Sequence, residues 1–461
     1  MGRLGPAALR PVIIAVSLVL VLSLLVMAGY ALWVERTPVA ASDPTPTPSR
    51  TPTPTPTPEP ADPPTAVLQP VRKGPVPDPK QVQRLIKKVG SPKAELGGAV
   101  VDVFSGEEVY DHDADEQLLP ASTLKLLTSA AALAALGPDH EFSTSVVNGK
   151  KGQIILVGGG DPYLTDRVQP DTYPERGSLA ELAAETAAQL RDAGQTSIAL
   201  GYDASLFAGP AWNPTWPSSY RDQVTPTSAL WVNEGRHSGG PRDTDPARAA
   251  AKAFAKELQR QKIKVSKIAE ATAEPKARSL AVVASMPLER IVEQVLLTSD
   301  NDAAEVLFRQ VAVAAGKPGT INAARKALVQ TLAGLKLVDD EAEIHDGSGL
   351  SRQNRVSAAL LVETLRLAAT DDHPQLRALL TGLPVAGAEG TLRLRFTDPA
   401  AEDGIGLVRG KTGTLTGVHS LAGVVRTEDG SFLAYAFMIN EPKDAWLARE
   451  WVAKAATALT R

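Results

Sequence analysis

Cysteine is absent from all 461 residues, which removes disulfides, thiolate catalysis and Cys-ligated metal sites together. The six histidines are scattered, with no H-E-x-x-H or similar ligand spacing, so neither a metal nor another cofactor is expected. No long Lys/Arg run occurs and the formal net charge is −4, which argues against a nucleic-acid partner. A phosphate loop is missing as well. "GGGDPY" (158–163) lacks the third glycine of G-x-G-x-x-G, no G-K-S/T follows it, and it reads as a turn. No internal repeat of fixed period is visible.

What the chain does contain is enough apolar residue, 43% against 22% charged, to bury one large core or two modest ones. Arg3 and Arg10 precede an unbroken apolar run from Val12 to Val34, long enough to cross a bilayer and longer than the usual core of a signal peptide. We expect residues 1–11 to be cytoplasmic, 12–34 to be a membrane-spanning signal anchor, and the remainder to be exported. Cleavage near "PVAASD" (38–43), giving a secreted form, is the alternative. Residues 35–77 read as a Thr/Pro-rich disordered stalk. The alternating prolines of "PTPTPSRTPTPTPTPEP" block helix and ladder formation and favour an extended polyproline path of about 3.1 Å per residue.

From about Asp78 the chain reads as globular. "GGAVVDVFSGEEVYDHD" predicts two strands turning at Ser105-Gly106, and "VHSLAGVVRTEDGSFLAYAFMIN" predicts a hairpin turning at Asp429-Gly430. A last amphipathic helix follows, with Trp446, Leu447, Trp451 and Val452 expected to face inward. Strands at both ends with helices between them imply one sheet built from both termini. Residues 143–278 differ in texture and read as an inserted region. It comprises a hairpin, a helix at 178–193, a strand at "TSIALGYDA", a Trp/Pro-rich loop and a helix near 246–262. That divides the main domain into 78–142 and 279–461.

The chemistry lies in three short motifs. "LLPASTLKLLTSAAAL" (118–133) holds Ser122 and Lys125. Taken alone, Ser122 reads first as a helix N-cap, and S-x-x-K arises by chance about once in a chain of this length. Two further motifs follow in order, Ser299-Asp300-Asn301 and Lys411-Thr412-Gly413-Thr414. All three together are expected by chance in well under ~1% of such chains. A serine and a lysine three apart lie on one face of a helix, and a neutral lysine can take the serine proton. Burial and a second cation both lower a lysine pKa, and Lys411 is the candidate for that cation. Ser299 and Asn301 converge only on a turn between helices, where Ser299 relays a proton to the leaving amine and Asn301 holds Lys125 and a substrate amide. Gly413 lets a peptide backbone lie close. Lys411, Thr412 and Thr414 are candidates for binding a substrate carboxylate, and the backbone N–H groups of Ser122 and Thr414 are the natural oxyanion-hole pair.

S-x-x-K, S-D-N and K-T-G in that order are the set shared by penicillin-binding proteins and class A β-lactamases. "GGGDPYL", "DASLFAGPAW", "SALWVNEGR", "SDNDAAEVLFRQ", "DGSGLSRQNRVS" and "KTGTLTGV" further resemble the D-alanyl-D-alanine carboxypeptidase/endopeptidase family of the penicillin-binding protein 4 type, serine peptidase family S13. The resemblance runs from about residue 80 to the C-terminus. It implies an α+β fold, a DD-peptidase/β-lactamase-like transpeptidase domain (antiparallel sheet flanked by helices) with a large α/β insertion after the nucleophile helix. It also implies attack by Ser122 on the penultimate D-alanine of peptidoglycan stem peptides ending in D-Ala-D-Ala, with β-lactam antibiotics acylating the same serine. Ser348 in "DGSGLS" has no nucleophile-elbow flanks and is expected to shape a loop. His419 stands where the family usually has a small residue. Two other readings remain open: a serine β-lactamase, although no E-x-x-L-N lies between Asn301 and Lys411, and a non-catalytic cell-wall scaffold.

Overall fold

The two ends of the folded chain meet in one sheet. The computed structural model describes residues 74–169, 175–236 and 240–461, all within a unit spanning Pro70–Arg461. The expected cytoplasmic segment, membrane anchor and all but the last few residues of the stalk lie outside the described residues. Among the described residues no helix is long and apolar enough to cross a membrane.

The principal elements begin with α1 (Pro79–Val89), β1 (Glu95–Asp102), β2 (Glu108–His112), and a 3-10 turn at Ala121–Leu124 that runs into α2 (Lys125–Leu136). Then come β3 (Ser143–Asn148), β4 (Gln153–Val157), α3 (Leu179–Asp192), β5 (Ser197–Asp203), α4 (Pro246–Arg260), β6 (Lys264–Glu270) and β7 (Ser279–Ala284). The chain continues through α5 (Leu288–Thr298), α6 (Asn301–Ala314), α7 (Ile321–Gly334) and α8 (Ala358–Ala369). It closes with β8 (Val408–Leu415), β9 (Val418–Arg426), β10 (Phe432–Asn440) and α9 (Ala445–Ala458).

The first sheet has the order β2-β1-β10-β9-β8 and is antiparallel throughout, with Gly98 opposite Phe437 and Gly413 opposite Ser420. Helices cover both faces, so β10 is an almost continuous apolar run rather than an alternating one. Its Ala434, Ala436 and Met438 pack with α2 and α5–α8, while Leu433, Tyr435, Phe437 and Ile439 pack with α1 and α9. Phe437 stacks on Tyr435 (centroids 5.7 Å apart) and meets the Trp451 edge at 5.6 Å. Helix α2 is buried on every side from Lys125 to Leu133, because it runs through the middle of the helical layer rather than along its surface.

The second sheet, β6-β5-β4-β3-β7, is built from the inserted region. The β3–β4 pair is the expected hairpin, and β4, β5 and β6 are parallel, joined through α3 and α4, whose apolar faces share a core with the sheet. Strand β7 pairs with β3, so the insertion extends through Ala284 rather than stopping at 278. The last helix also departs from expectation. Trp446 and Leu447 are 60% and 54% exposed, because they occupy the first turn after the Asp444 cap, before the helix reaches the sheet. Trp451 and Val452 are buried as expected.

Candidate active site

The Ser122 segment is set by strained backbone. Ala121, though not glycine, has φ 49 and is buried, a conformation that persists only when its surroundings impose it. It turns Ser122 into a 3-10 turn that has no side-chain cap, so Ser122 is not acting as an N-cap. Its Oγ lies 2.9 Å from Lys125 Nζ, which also reaches Asn301 Oδ1 at 2.8 Å and the Ser348 carbonyl at 2.6 Å. Three acceptors satisfy an ammonium's three N–H groups. A neutral amine keeps two of them and a lone pair, which faces the serine proton once the other two bonds are made.

The second motif sits on a helix–helix turn. Helix α5 ends at Ser299, which is left-handed (φ 60, ψ 41), and Asp300 caps α6 by accepting the Ala303 N–H. This reversal lets Ser299 and Asn301 point into one cleft although they are two apart. Lys411 Nζ donates to Ser299 Oγ and to the Thr412 carbonyl, both at 2.8 Å.

The loop that carries Ser348 forms the third side of the site. Ser348 is buried, and it is its carbonyl that holds Lys125. Asp346 organises the loop by accepting the Gly349 and Ser351 N–H groups, Asn354 Nδ2 and Trp216 Nε1. Glu305 Oε1 accepts the Gly347 and Ser348 N–H groups at 2.9 and 2.8 Å. Glu305 stands four residues after Asn301, on the same helix face, which is the signal that could have revealed it. Gly349 (φ +83) lies against the nucleophile turn, and a Cβ there would stand 1.9 Å from the Ala121 carbonyl.

Burial dominates the electrostatics. It lowers Lys125 to about 8 against the opposing charges of Asp346, Asp300, Glu305 and Asp302. Burial, then the Lys125 charge, pushes Lys411 well below the ordinary lysine range. Burial, not the Lys411 charge, is what depresses Lys125, so the expected role of Lys411 as the depressing cation is not seen. Burial raises Glu305 to about 8, with Asp346 adding to it. Glu234, Asp300 and Asp302 bring three carboxylates to within metal-ligand spacing, but Arg236 and Arg242 supply the countercharge to Asp302.

The cleft holds about 420 Å³ and is lined by Ser122, Ser299, Asn301, Thr414, Tyr220 and Gln223 among others. The family model of the D-Ala-D-Ala carboxypeptidase 3 (S13) family matches residues 79–240 and 240–459. The chain belongs to that family. It is 37% identical over 359 residues to a carboxypeptidase of Mycobacterium tuberculosis, covering 75% of this chain and 76% of the relative. The crystal structure of penicillin binding protein 4 from Haemophilus influenzae superposes with a TM-score of 0.66 at 21% identity, over 80% of this chain and 97% of that one. The same protein complexed with a novel β-lactam gives a TM-score of 0.61 at 22% identity, with the same coverage.

In this S13 chain the remaining expected residues take different positions. Thr414 lines the cleft, whereas the Thr412 hydroxyl donates to Thr391 Oγ1 at 2.9 Å. Gly413 is required by packing within the chain. A Cβ there would fall 2.0 Å from Ser420 Oγ and 2.5 Å from the Pro120 carbonyl, so its absence permits the close approach of the segment that leads into Ser122. His419 is buried with its charge disfavoured first by burial, then by Arg395 and Arg449. It pairs across the strands with Thr414 and does not line the cleft.

Proposed function

We propose that this S13 chain is a serine-type D-alanyl-D-alanine carboxypeptidase/endopeptidase that cleaves peptidoglycan stem peptides through an acyl-enzyme on Ser122, and that β-lactams acylate the same atom. The observation that carries this reading is the 2.9 Å contact between Ser122 Oγ and a buried Lys125 in the cleft. Neutral Lys125 takes the hydroxyl proton as Ser122 Oγ bonds to the penultimate D-alanine carbonyl carbon. The backbone N–H groups of Ser122 and Thr414 receive the developing oxyanion, at about 3–4 kcal/mol per donor. The C–N bond then breaks, and the leaving amine takes a proton through Ser299, which Lys411 orients. Water completes the cycle by hydrolysing the ester. Asn301 anchors Lys125 through Oδ1 and presents its amide to the substrate. This substrate lies outside the cytoplasm, and the N-terminal apolar run and stalk suit that location.

Intact mass spectrometry after incubation with benzylpenicillin tests the reading. A single slowly released adduct on the peptide carrying Ser122, absent from Ser122→Ala, is expected. An adduct that persists in Ser122→Ala removes the nucleophile assignment. Drug loss without any adduct points to a β-lactamase, and intact drug without adduct to a scaffold.

A further inference from the structure

The inserted region does more than flank the cleft, for one of its arginines is wired to the S-D-N motif. Arg242 has a side chain only 13% exposed, and all three nitrogens of its guanidinium donate hydrogen bonds. Nε donates to the Asp222 carbonyl at 3.1 Å and Nη2 to the Gln223 carbonyl at 3.1 Å. Nη1 donates to Thr225 Oγ1 at 2.9 Å and to Asp302 Oδ2 at 2.5 Å. Asp302 is completely buried and directly follows Asn301. Its other oxygen accepts the Thr225 N–H at 2.7 Å, and Arg236 donates to Oδ2 at 2.6 Å. The Gln223 carbonyl in turn accepts Asn301 Nδ2 at 3.0 Å. Asn301 is thus gripped at both ends, by Lys125 through its oxygen and by Gln223 through its nitrogen. Arg242 donates to that same Gln223 carbonyl.

Charge neutralisation alone does not account for this. Arg236 is shared among Glu234, Asp300 and Asp302, so a second cation helps to balance the cluster, but a point charge would serve for that. What Arg242 adds is a planar fork that joins two backbone carbonyls of the insertion to the first turn of α6, a geometry that lysine lacks. Asp222 and Gln223 also line the cleft beside Ser122.

We propose that Arg242 is a positioning residue for acylation, fixing the Asn301 amide, and through it Lys125, by locking the Asp222–Thr225 segment of the insertion onto Asp302. The inference rests on the reading of Ser122 as nucleophile. A displacement of about 1 Å at a reacting group costs on the order of a hundredfold in rate, so loss of the fork lowers the acylation rate constant by about 10–100-fold.

The test measures the acylation rate constant and the initial binding constant for benzylpenicillin separately, on the full chain, for wild type, Arg242→Lys, Asn301→Ala and the double variant, with thermal melts alongside. Arg242→Lys keeps a cation beside Asp302 but not the fork. Expected is a melting temperature near that of wild type, unchanged initial binding and the stated loss in acylation rate. The double variant is expected to be no slower than Asn301→Ala alone, because the two residues act on one geometry. Wild-type acylation by Arg242→Lys, or losses that multiply in the double variant, would overturn the proposal. If Arg242→Lys does not fold, Thr225→Val removes one contact of the fork and carries the same test with a few-fold expected loss, a wild-type rate again overturning it. Absence of any adduct on the wild-type chain with the drug left intact overturns the Ser122 reading instead, so the two failures are distinguishable.

Discussion

Acylation by this chain should follow the titration of Lys125. Burial lowers that lysine from 10.5 to about 8, so its neutral fraction is about one-tenth at pH 7, one-half at pH 8 and nine-tenths at pH 9. If the neutral amine is the base, the acylation rate constant rises about tenfold from pH 7 to pH 9, falls about tenfold per unit below pH 7, and levels above pH 9. An exposed lysine would instead be neutral in only about 4 molecules in 10,000 at pH 7, with a rate still climbing past pH 10. The difference corresponds to about 3 kcal/mol less for supplying the neutral base at pH 7. Single-turnover acylation by benzylpenicillin between pH 6 and 10, with circular dichroism confirming the fold at each pH, measures the profile. Removing the second lysine sharpens the test. Because burial rather than Lys411 lowers Lys125, Lys411→Gln should slow the reaction but leave the midpoint near pH 8. A flat profile, or a midpoint near 10, would refute the assignment of Lys125 as base. A midpoint that rises in Lys411→Gln would show instead that a charged Lys411 was holding Lys125 down.

Two further outcomes follow from packing and burial. In Gly349→Ala the new Cβ would stand 1.9 Å from the Ala121 carbonyl at a backbone angle of φ +83, so the nucleophile turn must move by about 1.5 Å and acylation should fall at least ~100-fold. An acylation rate within threefold of wild type, on a folded variant, would show that the turn is not held by this contact. Glu305 has its folded-state pKa raised from 4.5 to about 8, so the folded chain binds this proton more tightly than the unfolded one. That contribution to stability is complete below about pH 4.5 and is lost as pH rises through about 8. Glu305→Gln keeps an oxygen for the Gly347 and Ser348 N–H groups and removes the titration, so its melting temperature should gain on wild type steadily from pH 5 to pH 8. A pH-independent difference between the two would count against a buried, protonatable Glu305.

The amino-acid sequence by itself determined whatever is encoded over one turn or one hairpin. Ser122 and Lys125 are three apart and meet for that reason alone. Asp429-Gly430 makes the β9–β10 turn, with Gly430 at φ 93, and Ser299 and Asn301, two apart, can share a cleft only on a helix–helix turn, which is where they lie. Periodicity also named the inward face of α9 but not the point at which that helix meets the sheet, so Trp446 and Leu447 were misplaced. Only the tertiary structure decided what surrounds the lysine. Its partners Asn301 and Ser348 lie 176 and 223 residues away, and the Ser348 partner is a backbone carbonyl, which every residue possesses and no side chain announces. The same holds for Gly413, whose missing Cβ makes room for the Pro120 carbonyl, and for Arg242, which grips two carbonyls of the insertion. The depressed basicity of Lys125 and Lys411 arises likewise from burial by segments distant in the chain. Short spacings bring reactive groups together, but desolvation and backbone contacts depend on what folds over them.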